Sequence, residues 1–137
     1  MNEASTASHS VVVERDLAHP PDKVWRALTQ PHLIEEWLMK NDFKPVLEHR
    51  FNLRGDWGAV DCQVVAVEAN KTLAYTWAAF GLESVVTWTL TPSSIGTHLR
   101  MEHAGFQLPE QRQAYEGAKL GWQRFLTNLE HVLEKRA

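Results

Sequence analysis

The sequence predicts an α+β fold in which six antiparallel strands pack against one long C-terminal helix, with two short helices after strand one. Three features of the sequence lead to this prediction. Between Phe43 and Phe106 apolar residues alternate with polar ones, which is the period of a half-buried strand. The alternating segments are joined by short turns, so neighbouring strands are expected to pair in an antiparallel meander. From Pro109 onward the apolar residues recur every three or four positions, as they do in an amphipathic helix.

The first third of the chain combines one strand and two helices. Alternating valines predict the first strand at residues 10–18. A helix is expected to begin near Pro20, because proline is favoured in the first helical turn. Pro31 ends this helix and begins a second one. Both helices carry apolar residues at helical spacing, namely Val24, Trp25 and Leu28 in the first and Leu33, Ile34, Trp37 and Leu38 in the second.

Five further strands are expected in the middle of the chain. In the second strand Leu47, Phe51 and Leu53 share one face, opposite polar and charged residues. The Val-rich segment after Gly58 is also predicted to be a strand, but its alternation is too poor to assign its two faces. Each of the last three strands has a clear apolar face, formed by Leu73, Tyr75 and Trp77, by Val86, Trp88 and Leu90, and by Leu99, Met101 and His103.

One long helix is predicted from Pro109 to Lys135. Two glycines, Gly117 and Gly121, lie inside it, although a glycine in a helix costs about 1 kcal/mol relative to alanine. We therefore expect that empty space or a close backbone approach is needed at that part of the helix. The apolar stripe of the helix consists of Tyr115, Ala118, Trp122, Phe125, Leu129 and Val132.

Composition and charge exclude several classes of protein. The 137 residues are 44% hydrophobic and 23% charged, as is typical of one soluble domain. We expect residues 10–137 to form this domain after a disordered tail at residues 1–9. A net charge of −3 with both signs interspersed gives no reason to expect nucleic acid as a partner. Without a signal peptide, a membrane span or a second cysteine beside Cys62, the chain is expected to be cytoplasmic.

Five stretches of the sequence resemble one known family. They are residues 17–37, 73–77, 86–92, 96–106 and 121–129. In this order they are similar to segments of the activator of heat-shock-protein-90 ATPase homologue-like proteins, a branch of the START-like (SRPBCC) superfamily. The resemblance extends from about residue 11 to residue 134. It implies a helix-grip fold, in which a curved antiparallel sheet wraps around the C-terminal helix and leaves an elongated cavity between them.

The inward-facing positions of that arrangement are the candidate residues of a ligand-binding cavity. Aromatic side chains dominate them, as they do in many pockets for apolar ligands, although the same side chains could instead fill the core. The candidates are Trp37, Phe51, Tyr75, Trp77, Trp88, Met101, His103, Ala118, Trp122 and Phe125.

Two polar side chains lie on apolar strand faces and have alternative roles. His103 could be a hydrogen-bonded core histidine, or it could anchor a ligand or act as a base. Arg15 shares a face with the valines of the first strand. It could form an internal ion pair, or it could bind the acidic end of a ligand, since an arginine near this position is common in the family that the chain resembles.

The sequence gives little support to a catalytic or metal site. It contains no Gly-x-Ser-x-Gly elbow, no His-Glu-x-x-His and no phosphate-binding loop. His98 and His103 are five residues apart on one strand and are therefore expected to point to opposite faces. Cys62 lies in a Val-rich strand, which favours an inert thiol. We expect no metal, no other cofactor and no catalytic residue.

The predicted cavity and the family resemblance suggest three alternative functions. The first is non-enzymatic binding of a small hydrophobic or amphipathic molecule between the sheet and the C-terminal helix. The second is co-chaperone-like stimulation of the heat-shock-protein-90 ATPase, with a chaperone as partner. The third is cyclase, dehydratase or hydrolase chemistry in the same cavity. Converging ionisable groups in the cavity would favour catalysis, and a dry aromatic wall would favour ligand binding. The chain is expected to be a monomer or a homodimer.

Overall fold

The computed structural model describes residues 8–135, which form one seven-stranded sheet and three helices. Residues 1–7 of the predicted tail lie outside the described residues, whereas its last two residues, Ser8 and His9, already pair with the last strand. The elements are, in order, β1 (Ser8–Leu17), α1 (Pro21–Thr29), α2 (Pro31–Trp37), β2 (Lys40–Asn41), β3 (Arg50–Gly55), β4 (Gly58–Glu68), β5 (Thr72–Ala79), β6 (Leu82–Pro92), β7 (Thr97–Gln107) and α3 (Arg112–Lys135).

The strands follow the order β1-β7-β6-β5-β4-β3-β2 and every neighbouring pair is antiparallel. Strands β3 to β7 therefore form the predicted meander, and β2 adds one more strand to it. Helices α1 and α2 carry the chain from β1 at one edge of the sheet to β2 at the other. The last helix, α3, packs on β1, β7 and the two short helices. This is the helix-grip arrangement that the family resemblance implied.

The second predicted strand differs from the observed structure in two ways. A two-residue strand, β2, precedes it and pairs with β3, which makes seven strands instead of the predicted six. Two residues are too few to show a period of two. The second difference is Leu47, which is exposed because β3 begins only at Arg50. Pro45 and the positive φ of Glu48 interrupt the extended backbone before that residue.

The poor alternation of the Val-rich segment has a structural cause. Val60 and Val64 of β4 point into the core, but the register against β5 shifts between Val64 and Ala66. A β-bulge of this kind places one extra residue in a strand and changes which residues face inward after it. Val65 is exposed, and Val67, three positions after Val64, packs against the core. The bulge explains why the sequence pattern did not assign the faces of this strand.

Helix α3 has two halves with different surroundings. In the C-terminal half, Leu126, Leu129 and Leu133 are buried against the sheet and the short helices. Burial of such side chains contributes about 1.5–3 kcal/mol each. In the N-terminal half, the inward face carries small residues, including Gly117 and Gly121. The first half of α3 therefore leaves space between helix and sheet, as its glycines led us to expect.

A second bulge turns an extra aromatic ring into the interior. Gly105 of β7 has no partner on β1, since Ala104 is opposite Ser10 and Phe106 is opposite His9. Because of this extra residue, both His103 and Phe106 point inward, although three positions separate them. Their rings are 4.7 Å apart. The backbone of Gly105 has φ of 120°, a conformation that favours glycine.

We expect Gly105→Ala to lower the free energy of unfolding by about 2 kcal/mol or more. A Cβ atom at this position would lie 3.0 Å from the Glu83 carbonyl oxygen and from Ser84 Cα, in addition to the strained φ. Gly117→Ala is the matched control, because its Cβ would meet no atom within 4 Å. The control should raise stability by up to about 1 kcal/mol. Urea denaturation measures both, and equal effects of the two variants would contradict this account of the bulge.

Candidate functional site

A cavity of about 470 Å³ lies between the sheet and the N-terminal half of α3. The ends of β5, β6 and β7 supply one wall, and the small residues of α3 supply the opposite wall. Its lining consists of Trp57, Trp77, Ala79, Phe80, Leu82, His103, Phe106, Ala114, Gly117, Ala118, Gly121, Trp122 and Phe125. Among these described residues His103 is the one titratable side chain. The cavity is therefore an aromatic, almost wholly apolar space.

A chain of hydrogen bonds fixes the polar atoms at the base of this cavity. The Trp122 indole Nε1 lies 2.9 Å from His103 Nδ1. His103 Nε2 lies 2.8 Å from Ser84 Oγ, which lies in turn 2.8 Å from the Trp77 carbonyl oxygen. The four residues belong to α3, β7, β6 and β5. The chain thus connects the helix with three strands of the sheet.

The direction of these hydrogen bonds follows from the N–H donor at one end of the chain and the carbonyl acceptor at the other. An indole N–H can only donate, so His103 Nδ1 accepts from Trp122 and carries no proton. The neutral imidazole then carries its proton on Nε2 and donates it to Ser84 Oγ. The Ser84 hydroxyl donates to the Trp77 carbonyl oxygen. Each proton has one acceptor, and the partners therefore select a single tautomer of His103.

Burial keeps His103 neutral. Its side chain is 1% exposed, and desolvation lowers the pKa of the imidazole from 6.5 to about 4. A second proton would also have to occupy Nδ1, where it would face the N–H of Trp122. The hydrogen-bonded core histidine is therefore the role that the structure supports for this residue.

The close approach of Ser84 and His103 does not form a nucleophile and base. A serine nucleophile needs a ring nitrogen that can accept its proton. In this protein Nε2 already carries a proton and Nδ1 is occupied by Trp122. The Ser84 hydroxyl is itself engaged with the Trp77 carbonyl oxygen. The pair therefore organises the wall of the cavity and has no lone pair available to activate a hydroxyl.

The structure places five of the ten predicted residues around the cavity and five elsewhere in the interior. Those in the lining are Trp77, His103, Ala118, Trp122 and Phe125. Those in the packed core are Trp37, Phe51, Tyr75, Trp88 and Met101.

Aromatic contacts connect the four aromatic residues of the core group in pairs. The rings of Trp37 and Trp88 meet edge to face at 5.6 Å, and those of Phe51 and Tyr75 meet at 5.3 Å. Trp88 Nε1 donates to the Tyr75 hydroxyl, and burial raises the pKa of that phenol. These side chains fill the packed core of the protein.

Several lining residues were not among the sequence candidates. Trp57 and Phe80 lie in turns, where the strand periodicity carries no information about direction. Phe106 points inward because the extra residue at the Gly105 bulge shifts the alternation of inward and outward side chains. Ser84, which is not in the lining, was also missed, although it shares the inward face of β6 with Val86 and Trp88 and could have been identified by extending that alternation.

The remaining sequence candidates have structural roles. Arg15 Nε forms an ion pair with Glu130 at 3.0 Å, and its guanidinium donates to Gln123 at 2.9 Å, which connects β1 to α3. Cys62 is buried, and desolvation raises the pKa of its thiol to about 12. Within residues 8–135, no group of three or more His, Cys, Asp or Glu side chains is placed to hold a metal ion. No helix in the same range combines the length and apolar character needed to cross a membrane.

Comparison with known proteins identifies both sequence and structural relatives. The family model described as "Activator of Hsp90 ATPase homolog 1-like protein" matches residues 18–134. Protein MLL2253 from Mesorhizobium loti is 61% identical, with a TM-score of 0.91 over 94% of this chain and 99% of that chain. No curated protein matched the sequence.

Two further solved structures are more distant. Bacillus halodurans protein BH1534 is 27% identical with a TM-score of 0.82, and the match covers 91% of this chain and 96% of that one. DynU16, described as a putative protein in the dynemicin biosynthetic locus, is 28% identical with a TM-score of 0.82. That match covers 91% of this chain and 47% of DynU16.

The low pKa of His103 predicts a particular pH dependence of stability. Between pH 6.5 and about 4 the unfolded chain binds a proton at this residue that the folded chain does not bind. The free energy of unfolding should therefore fall as the pH falls through this window, with a slope from this residue of up to about 1.4 kcal/mol per pH unit. His103→Gln, whose amide can accept from Trp122 and donate to Ser84, removes the titration.

Urea denaturation of both proteins from pH 7.5 to 4 measures the difference between their stabilities. The comparison cancels the opposite trend from His98, whose pKa is raised by hydrogen bonds to Asp16 and Glu14 and whose stabilisation is lost as the pH rises. The stability of wild type relative to His103→Gln should decline toward pH 4. A difference that does not change with pH would contradict this account of His103.

Proposed function

The chain belongs to the activator of Hsp90 ATPase homolog 1-like protein family, and from this premise we propose that it binds a small, largely hydrophobic molecule in the cavity under α3. One observation carries the proposal: a helix that could have closed the core instead carries small residues over a space of about 470 Å³. Pockets for small molecules commonly have volumes of about 300–1,000 Å³ and apolar walls.

The lining favours a ligand whose buried part is uncharged. A buried charge without a partner is strongly destabilising. Among the described residues that line the cavity, His103 alone could supply a charge, and both its ring nitrogens are already hydrogen-bonded within the protein. Transfer of apolar surface from water, worth about 25 cal/mol per Å², would supply most of the binding free energy. A polar end of an amphipathic ligand would remain at the open mouth.

One structural relative agrees with this proposal. DynU16 is described as belonging to the dynemicin biosynthetic locus, which links one relative of this fold to the formation of a small molecule. This context concerns DynU16 and agrees with small-molecule binding as a use of the cavity.

The two other functions predicted from the sequence have less support. Stimulation of the heat-shock-protein-90 ATPase rests on the description of the family, whereas the cavity is a feature that a chaperone partner would not require. Catalysis would require converging ionisable groups. The one titratable group in the described lining is held neutral by burial, with a pKa of about 4. We therefore place ligand binding first.

Substitution of Gly121 tests the proposal with the uncharged fluorescent probe N-phenyl-1-naphthylamine. A Cβ atom at this position would have Phe125 Cε2 as its nearest neighbour at 4.0 Å, an ordinary van der Waals distance. Gly121→Phe should therefore fold, and its ring should occupy the cavity. We expect saturable probe fluorescence with wild type and a loss of affinity of at least about tenfold with Gly121→Phe.

Gly121→Ala is the matched control, because it also replaces glycine with a better helix former but adds only a single methyl group. It should raise stability by about 0.5–1 kcal/mol and retain affinity within about threefold. Thermal unfolding verifies that both variants are folded. Equal probe binding by the Phe and Ala variants would place the probe outside the cavity, and absence of saturable binding by wild type to an aromatic and an aliphatic probe would overturn the proposed function.

A further inference from the structure

The turn between β5 and β6 contains a phenylalanine at a position where the backbone conformation favours a small or polar residue. Phe80 and Gly81 connect the paired residues Ala79 and Leu82, and both have positive φ, 51° and 82°. Two-residue hairpin turns of this kind favour Asn, Asp or Gly, because a large side chain in the left-handed region is strained. Phe80 is nevertheless present, and 83% of its surface is exposed to solvent.

Two unfavourable features therefore coincide at one residue. Strain at a positive φ and exposure of a large aromatic ring both oppose folding and solubility, and a polar turn residue would remove both of them. Strained backbone that has no structural purpose is found preferentially at functional sites. The position of the Phe80 ring indicates a role in ligand binding, since the ring borders the mouth of the cavity.

A second exposed aromatic ring accompanies it. Trp57, in the turn between β3 and β4, is 52% exposed, also borders the cavity and has its ring 5.7 Å from that of Phe80. Both rings lie over glycines of this turn. A Cβ atom on Gly55 would be 2.8 Å from the Trp57 indole nitrogen, and one on Gly58 would be 3.6 Å from Phe80 Cζ. The two turns are thus shaped to hold a pair of rings at the entrance.

We infer that Phe80 and Trp57 form an outer part of the ligand site, in which they contact an aromatic portion of the ligand and make the protein selective for aromatic over aliphatic molecules. This inference rests on the proposed function, because it concerns the ligand of the same cavity. Aromatic rings attract one another in edge-to-face and offset arrangements beyond the effect of buried area. A flexible alkyl chain would gain only burial at this position.

The test uses Phe80→Asn, which suits the turn but removes the ring. Its affinity for N-phenyl-1-naphthylamine should fall about tenfold, whereas its melting temperature should rise because the backbone strain is relieved. Glu48→Asn is the matched control. Glu48 also has positive φ, 70°, but it does not border the cavity. This variant should raise the melting temperature and leave the affinity for the probe unchanged.

A second substitution separates aromatic contact from simple burial. Phe80→Leu keeps an apolar side chain, so it should weaken binding of the aromatic probe but leave binding of 1-decanol nearly unchanged in isothermal titration calorimetry. Equal affinities of wild type, Phe80→Asn and Phe80→Leu for the probe would overturn the inference and leave the proposed function standing. Parallel losses for probe and decanol in Phe80→Leu would overturn the selectivity. Failure of wild type to bind either molecule would overturn the proposed function itself.

Discussion

The hydrogen-bond chain from Trp122 through His103 and Ser84 to the Trp77 carbonyl oxygen is the interaction on which the rest of the interior depends. It passes from α3 across three strands and satisfies every polar atom on its way. A buried polar group without a partner would be costly, and a network that satisfies all its members specifies one arrangement. Because the indole N–H can only donate, the tautomer of His103 is determined, and the ring presents carbon atoms rather than free nitrogen to the cavity. The network therefore holds the base of the cavity rigid without making it polar.

This hydrogen-bond chain holds α3 at Trp122 and allows the two halves of the helix to pack differently against the sheet. Beyond Trp122 the helix packs leucines into a filled core, which also contains the edge-to-face pair of Trp37 and Trp88. Before Trp122 the helix lines the cavity with glycine and alanine, and the sheet opposite supplies the rings of Trp77 and Phe106. Cavities without occupants lower stability because the surrounding atoms lose contacts. The packed half supplies the stability that permits the open half, and this division is the strongest structural argument for a ligand.

Two departures from regular strand geometry border the same cavity. The bulge at Gly105 shifts the alternation of inward and outward side chains in β7, so that Phe106 and His103 both point inward. Phe80 occupies a left-handed turn position at the entrance of the cavity. The core around Phe51 and Tyr75 consists of side chains on regularly alternating strand positions. These two departures help to shape the cavity, while the regularly alternating positions fill the core.

Apolar residues two positions apart, such as Tyr75 and Trp77 or Leu99 and Met101, were sufficient to predict an antiparallel sheet. The spacing of three and four residues from Tyr115 to Val132 was sufficient to predict the helix that packs against it. These features depend on residues close together in sequence, where a period of two or of three to four directly reflects burial. The bulges at Val65 and Gly105 were not predictable, because they depend on the register with a partner strand. The same limit applies to the cavity: Trp77 and Trp88 occupy equivalent inward positions, yet only Trp77 borders it. Similarly, His103 could be placed on an inward face, but its role was decided by Ser84 and Trp122, each 19 residues away along the chain. Within the regular parts of the strands and the helix, sequence determined which side chains turn inward. The tertiary structure decided which of them meet another side chain and which border empty space, because that depends on where α3 crosses the sheet.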